Sequence, residues 1–164
     1  MPDSAAPARW PAYARVPPFL PVPVRARADG WTVERQGRFI GLLAESGCVA
    51  AAARGVGMSR VAAYQLRTRA GAESFVRAWE AVLAIRAASL DGGPRPRKRN
   101  FTPSELPEAA IEGPVRVLMR RGRFVRAHRG HCTISLIRHL KRLDALAARR
   151  GLTGYEVWEG DDLW

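Results

Sequence analysis

The 164-residue chain reads as a mainly α protein: a helix-turn-helix helical domain followed by a small basic β-hairpin plus helix element. Three observations predict this. Apolar residues recur with helical spacing from Thr32 to about Leu90 and again from about Thr133 to Arg149. Within the first region, Gly55-Val56-Gly57 separates two short helical stretches. Before the last helix, Val115, Val117 and Met119 alternate with Arg116, Leu118 and Arg120, Arg121-Gly122 supplies a turn, and Phe124-Val125 resumes the strand.

Residues 1–30 hold Pro2, Pro7, Pro11, Pro17, Pro18, Pro21 and Pro23, which prevents helix and predicts an extended arm. Its Phe19 to Val24 stretch is apolar enough to pack along the domain that follows, and Arg25 and Arg27 could touch phosphate. The helical domain covers residues 31–90. Thr32 is the expected N-cap of a first helix that places Val33, Gln36, Phe39, Ile40 and Leu43 on one face and ends at Gly47. Cys48 to Arg54 forms a second helix of almost wholly small side chains, and Ser59 caps a third that runs to about Arg69. Glu73 to about Leu90 is a fourth helix, with Phe75, Trp79, Val82 and Leu83 on one face. Arg86 takes the next place in that stripe and Ile85 falls off it, so the buried face should weaken toward the end. Residues 91–113 read as a basic linker containing Pro and Gly, residues 114–150 as hairpin and helix, and residues 151–164 as an acidic aromatic tail.

Composition narrows the function. An apolar content of 47% supports a core, and a net charge of +12 with pI near 11.3 calls for an anionic partner, of which nucleic acid is the commonest. Among the basic residues only Lys98 and Lys141 are lysines, but a chain rich in Ala, Gly and Pro takes Arg by GC-rich codon usage, so that preference carries little functional weight. Two cysteines make no disulfide framework, no secretory signal is evident, and no segment is apolar enough to span a membrane. A soluble, cytoplasmic protein is expected.

The stretch Val49 to Arg67 carries the most information. Ala53 falls where the first helix of a pair must be nearly bare, and Gly57 where the turn needs a permissive backbone. Met58 plugs the junction, while Ala63 and Leu66 face inward. The outward face is left to Ser59, Arg60, Tyr64, Gln65, Arg67 and Thr68. Arg60, then Tyr64 and Gln65, are the candidates for base-edge contacts in a major groove, with Ser59 and Arg67 holding phosphate.

On Gly57-Met58-Ser59 and Ala63-Tyr64-Gln65-Leu66-Arg67, the region resembles the helix-turn-helix of bacterial and phage DNA-binding proteins, including the N-terminal domains of phage terminase small subunits and of transposase-associated regulators. The layout from Trp31-Thr32 through Phe39-Ile40 to Ala78-Trp79-Glu80 is also similar to uncharacterised alphaproteobacterial helix-turn-helix proteins. The resemblance spans about a third of the chain and implies a fold; a role does not follow from it.

A second basic feature lies further on. Between Val115 and Arg150 there are eleven arginines and lysines against the single acid Asp144, and Arg120, Arg121 and Arg123 gather at the hairpin turn. Such a hairpin suits a phosphate backbone. Leu136, Ile137, Leu140, Leu143 and Ala147 recur on one side of the last helix and suggest self-association, a dimer above all. His128, His131 and Cys132 match no metal-ligand spacing, and neither a phosphate loop, a nucleophile elbow nor paired carboxylates are evident, so no metal, cofactor or catalytic residue is expected. The tail, with Tyr155, Trp158 and Trp164 among Glu156, Glu159, Asp161 and Asp162, is expected to be disordered; the alternatives are a brake that docks on the hairpin arginines and a short motif for another protein. The expected function is sequence-directed binding of double-stranded DNA by a bacterial transcriptional regulator. The alternative is a recognition and recruitment subunit of a packaging or mobile-element complex; RNA binding is a third reading.

Overall fold

The structure is a computed structural model that describes residues 10–11, 14–25, 27, 29–91 and 101–151. The acidic tail beyond Gly151, the basic cluster Arg95 to Arg99 and the first nine residues lie outside the described residues. The elements are α1 (Val33–Ser46), α2 (Val49–Gly55), α3 (Arg60–Arg67), α4 (Glu73–Asp91), α5 (Leu106–Ile111), β1 (Val115–Arg120), β2 (Arg123–Arg129) and α6 (Thr133–Arg149). The chain is therefore mainly helical, with one two-stranded antiparallel hairpin followed by a helix.

Local chemistry sets the helix ends. Thr32 Oγ1 accepts from Arg35 N–H at the start of α1, and Gly47 closes it in the left-handed conformation with its N–H on Leu43 O. Phe39, Ile40 and Leu43 of α1 meet Phe75, Trp79 and Val82 of α4, and Ala52, Ala53, Ala63 and Leu66 of α2 and α3 close the same core. Phe39 sits at its centre, 4.9 Å from the Trp79 ring and 5.5 Å from Trp31.

The far end of α4 departs from expectation. Ile85, which helical spacing leaves off the stripe, is core, whereas Leu83 is only half-buried. Arg86 is 8% exposed and donates from one Nη1 to Ala44 O at 2.7 Å and Glu45 O at 2.9 Å. Those carbonyls are among the last of α1, which have no partner within their own helix, so the buried guanidinium completes the helix end instead of weakening the face. Burial pushes the Arg86 pKa down. Gly47 makes room for it, since a Cβ there would lie 2.4 Å from Arg86 Nε.

The proline-rich arm packs as a strap. Its closely spaced prolines disfavour helix, and the backbone groups of three of its residues find partners in different elements. Phe19 and Val115 exchange both backbone hydrogen bonds, Leu20 N–H donates to Ser74 Oγ, and Val22 bonds both ways with the Gln36 side-chain amide. Gln36 is fully buried because Val22 satisfies both ends of its amide.

The hairpin lies on α1. Gly37 and Gly41, four residues apart and hence on one helix face, leave a bare track for it. A Cβ at Gly37 would meet Ala127 Cβ at 2.5 Å, and one at Gly41 would meet the Phe124 ring at 2.1 Å. Val115, Val117 and Met119 pack inward while Arg116, Leu118 and Arg120 point out. Arg121 and Gly122, both at positive φ, form the two-residue turn that suits twisted strands. The register slips by one residue after Leu118, so that Val125 and Arg126 are both exposed.

Helix α5 falls in the stretch that composition reads as linker. Thr102-Pro103-Ser104-Glu105 forms a capping arrangement in which Glu105 Oε2 accepts from Thr102 N–H at 2.8 Å. Glu105 also bonds Arg77 of α4 and so ties α5 to the helical domain. Arg129 bridges from β2 to Glu112 at 2.7 Å and donates to Gly113 O. Helix α6 then packs on α5.

Candidate nucleic-acid interface

Helix α3 owes its position to very few side chains. Ser59 Oγ caps it by accepting from Ala62 N–H at 3.0 Å, and only Ala63 and Leu66 are buried. Ala62 and Arg67 are half-buried. Arg60, Tyr64, Gln65 and Thr68 are exposed, as the sequence predicts for an outward face.

These side chains are not equivalent. The Arg60 guanidinium lies over the Tyr64 ring at 5.7 Å, and the Tyr64 ring centre is 5.6 Å from that of Trp79. This stack holds an arginine at the first turn of α3 without neutralising it. Gln65 keeps its amide free of any protein partner among the described residues, while Thr68 Oγ1 donates to Gln65 O. Arg67 is half-buried, paired with Glu80 at 2.8 Å and stacked over Trp79 at 5.5 Å. Its charge is partly spent inside the protein, so it is less available to phosphate than Arg60.

Val61 is a member of this face that the sequence reading missed. It is 64% exposed, between Arg60 and the Tyr64-Gln65 pair. The signal was present: with Ala63 and Leu66 inward, a residue two places before Ala63 must point out. An aliphatic group there suits contact with a thymine methyl.

Arg120, Arg121 and Arg123 are all exposed at the hairpin tip, which is anchored on the last turns of α1 through Phe124 against Gly41 and Phe124 N–H on Glu45 Oε2 at 2.8 Å. The outer hairpin face adds Arg116 and Arg126. The structure thus gathers the nine candidate residues into two groups on different elements. Ser59, Arg60, Tyr64, Gln65, Arg67 and Thr68 belong to α3 and its caps, and the three tip arginines to the hairpin; the hairpin and α3 do not touch.

Both cysteines stand at helix N-caps. Backbone N–H groups of Ala51 and Ala50, with Arg54 and Arg60 nearby, hold the exposed Cys48 thiol below its ordinary pKa. At Cys132 burial pushes the thiol up, but hydrogen bonds with Ser135 and from Arg116 outweigh it and the net shift is downward. Among the described residues no His, Cys, Asp and Glu side chains cluster as a metal site, and no helix is long and apolar enough to cross a membrane. Comparison of the chain with protein-family models, with curated proteins and with solved structures gives no match.

Proposed function

We propose that this protein binds double-stranded DNA in a sequence-directed manner, with α3 entering the major groove, and acts as a bacterial transcriptional regulator. One observation carries the reading: α3 is held by two small-to-medium inward residues and a serine cap, and turns Arg60, Val61, Tyr64, Gln65 and Thr68 outward together. That set offers a guanidinium for guanine, an amide for adenine and a methyl-bearing group for thymine on a helix thin enough to enter a groove. Arg120, Arg121 and Arg123, with Arg116 and Arg126, supply positive charge for phosphates, and the net charge of +12 favours the encounter.

Selection from a pool of random duplexes tests this. Enrichment of a short motif, bound at least roughly 1,000-fold more tightly than unrelated duplex at the same salt, is the expected result. Equal affinity for all duplexes would reject sequence-directed binding. Tighter binding to structured RNA than to any enriched duplex would reject a DNA function.

A further inference from the structure

We infer that two copies of this chain associate through helix α6, its leucine face forming the centre of the contact. The helix is 17 residues long but only its Ser135 side is buried; Leu136, Ile137, Leu140 and Leu143 are 43–50% exposed on the described surface. Those side chains leave water only against an apolar partner, a gain of roughly 25 cal/mol per Å² covered. Leu136, Leu140, Leu143 and Ala147 repeat at intervals of four, three and four residues, the spacing of a coiled-coil seam.

The charge distribution says what that partner is. Within α6, Arg138, Lys141, Arg142 and Arg149 fall on the side away from the seam, while Arg150, its C-cap, takes the next seam position at the helix end. Beside the seam stand Ile137, His139, Asp144 and Leu146, so a second α6 brings leucine against leucine and keeps those four basic residues out of the contact. A strongly basic chain pairs with itself at lower electrostatic cost where its charge is sorted in this way, and Asp144 is the single acid on α6. Four half-exposed aliphatic side chains in one row make a patch of the kind that marks an interaction site.

The contact stands independently of DNA binding, and its test needs no DNA. Sedimentation velocity on the full chain, from about 1 to 100 µM, should show monomer converting to dimer with a dissociation constant in the micromolar range. The double substitution Leu140→Glu, Leu143→Glu changes only exposed side chains. It should leave the circular dichroism spectrum and melting temperature close to those of the parent while weakening association by roughly 100-fold or more. A full chain that stays monomeric at 100 µM overturns the proposal; that is the result expected if residues 152–164 fold back over the same leucines, or if a different protein takes the face. A dimer that survives both substitutions also overturns it, because the contact then lies elsewhere.

Discussion

Replacing Gly37 by alanine should destabilise the protein even though it improves α1 as a helix. In an open helix interior the change is worth about 1 kcal/mol of stabilisation. Here an added Cβ would lie 2.5 Å from Ala127 Cβ and 2.9 Å from Val115 Cγ1. Neither neighbour can turn aside. Ala127 has no rotamer to change, and Val115 is buried with its backbone paired to Phe19. The hairpin must therefore retreat by about 1 Å to restore ordinary van der Waals separation, which loosens Phe124 from Gly41 as well. Overpacking of this kind costs typically about 1–3 kcal/mol, and the lost strand contacts add to it. Set against the helix gain, the net loss is about 1–2 kcal/mol, equivalent to roughly 2–8 °C in melting temperature for a chain of this size. Thermal unfolding followed by circular dichroism measures it, with Arg38→Ala on the exposed side of α1 as the control. A melting temperature for Gly37→Ala at or above the parent's would refute close strand approach as the reason for glycine here.

Three further outcomes follow from the buried polar contacts. Arg86→Leu removes the donor to Ala44 O and Glu45 O and should cost about 2–4 kcal/mol in urea unfolding; a loss under 0.5 kcal/mol would show that the end of α1 does not need it. Gln36→Leu keeps the volume but strands the buried N–H and C=O of Val22, so a loss of about 2–3 kcal/mol is expected, and an unchanged urea midpoint would mean that the arm is not held there. For Glu105, burial pushes the carboxyl pKa up, but the bonds from Arg77 and Thr102 prevail and hold it below the ordinary 4.5. A carboxylate with a depressed folded-state pKa stabilises fully above its unfolded value and loses that contribution as pH falls through the folded one. The stability gap between the parent and Glu105→Gln should therefore narrow between about pH 6 and pH 3, and a gap that widened on acidification would contradict the assignment.

Much of this fold is legible in local sequence chemistry. Thr32 and Gly47 mark both ends of α1, Ser59 marks the start of α3, and Arg121-Gly122 marks the hairpin turn, because caps and tight turns are decided by neighbouring residues. What was not legible depends on contacts distant in sequence. Arg86 looks like an interruption of an apolar stripe until the end of α1 is placed against it. Gly37 and Gly41 look like poor helix residues until the hairpin lies on them. Helix α5 was obscured by Pro103 and Pro107 in a stretch following a basic, glycine-containing segment, although Thr102 and Glu105 carried a capping signal. At the candidate interface, helical spacing correctly separates the inward Ala63 and Leu66 from the exposed residues. It does not reveal that Glu80, on another helix, claims Arg67, and the aliphatic Val61 carries no polar group that marks it as part of the face.

The role of α3 is tested most directly by comparing Arg60→Ala with Arg121→Asn on the duplex enriched by selection and on random duplex, each across a salt series. Asparagine tolerates the positive φ at position 121 and removes the charge. Loss of a base contact in Arg60→Ala should cost about 1–3 kcal/mol on the enriched duplex and much less on random DNA, which shrinks the ratio between them. Loss of a phosphate contact in Arg121→Asn should weaken both equally and lower the salt slope by about 1. An unchanged ratio in Arg60→Ala, with both variants losing affinity alike on every duplex, would contradict a reading role for α3.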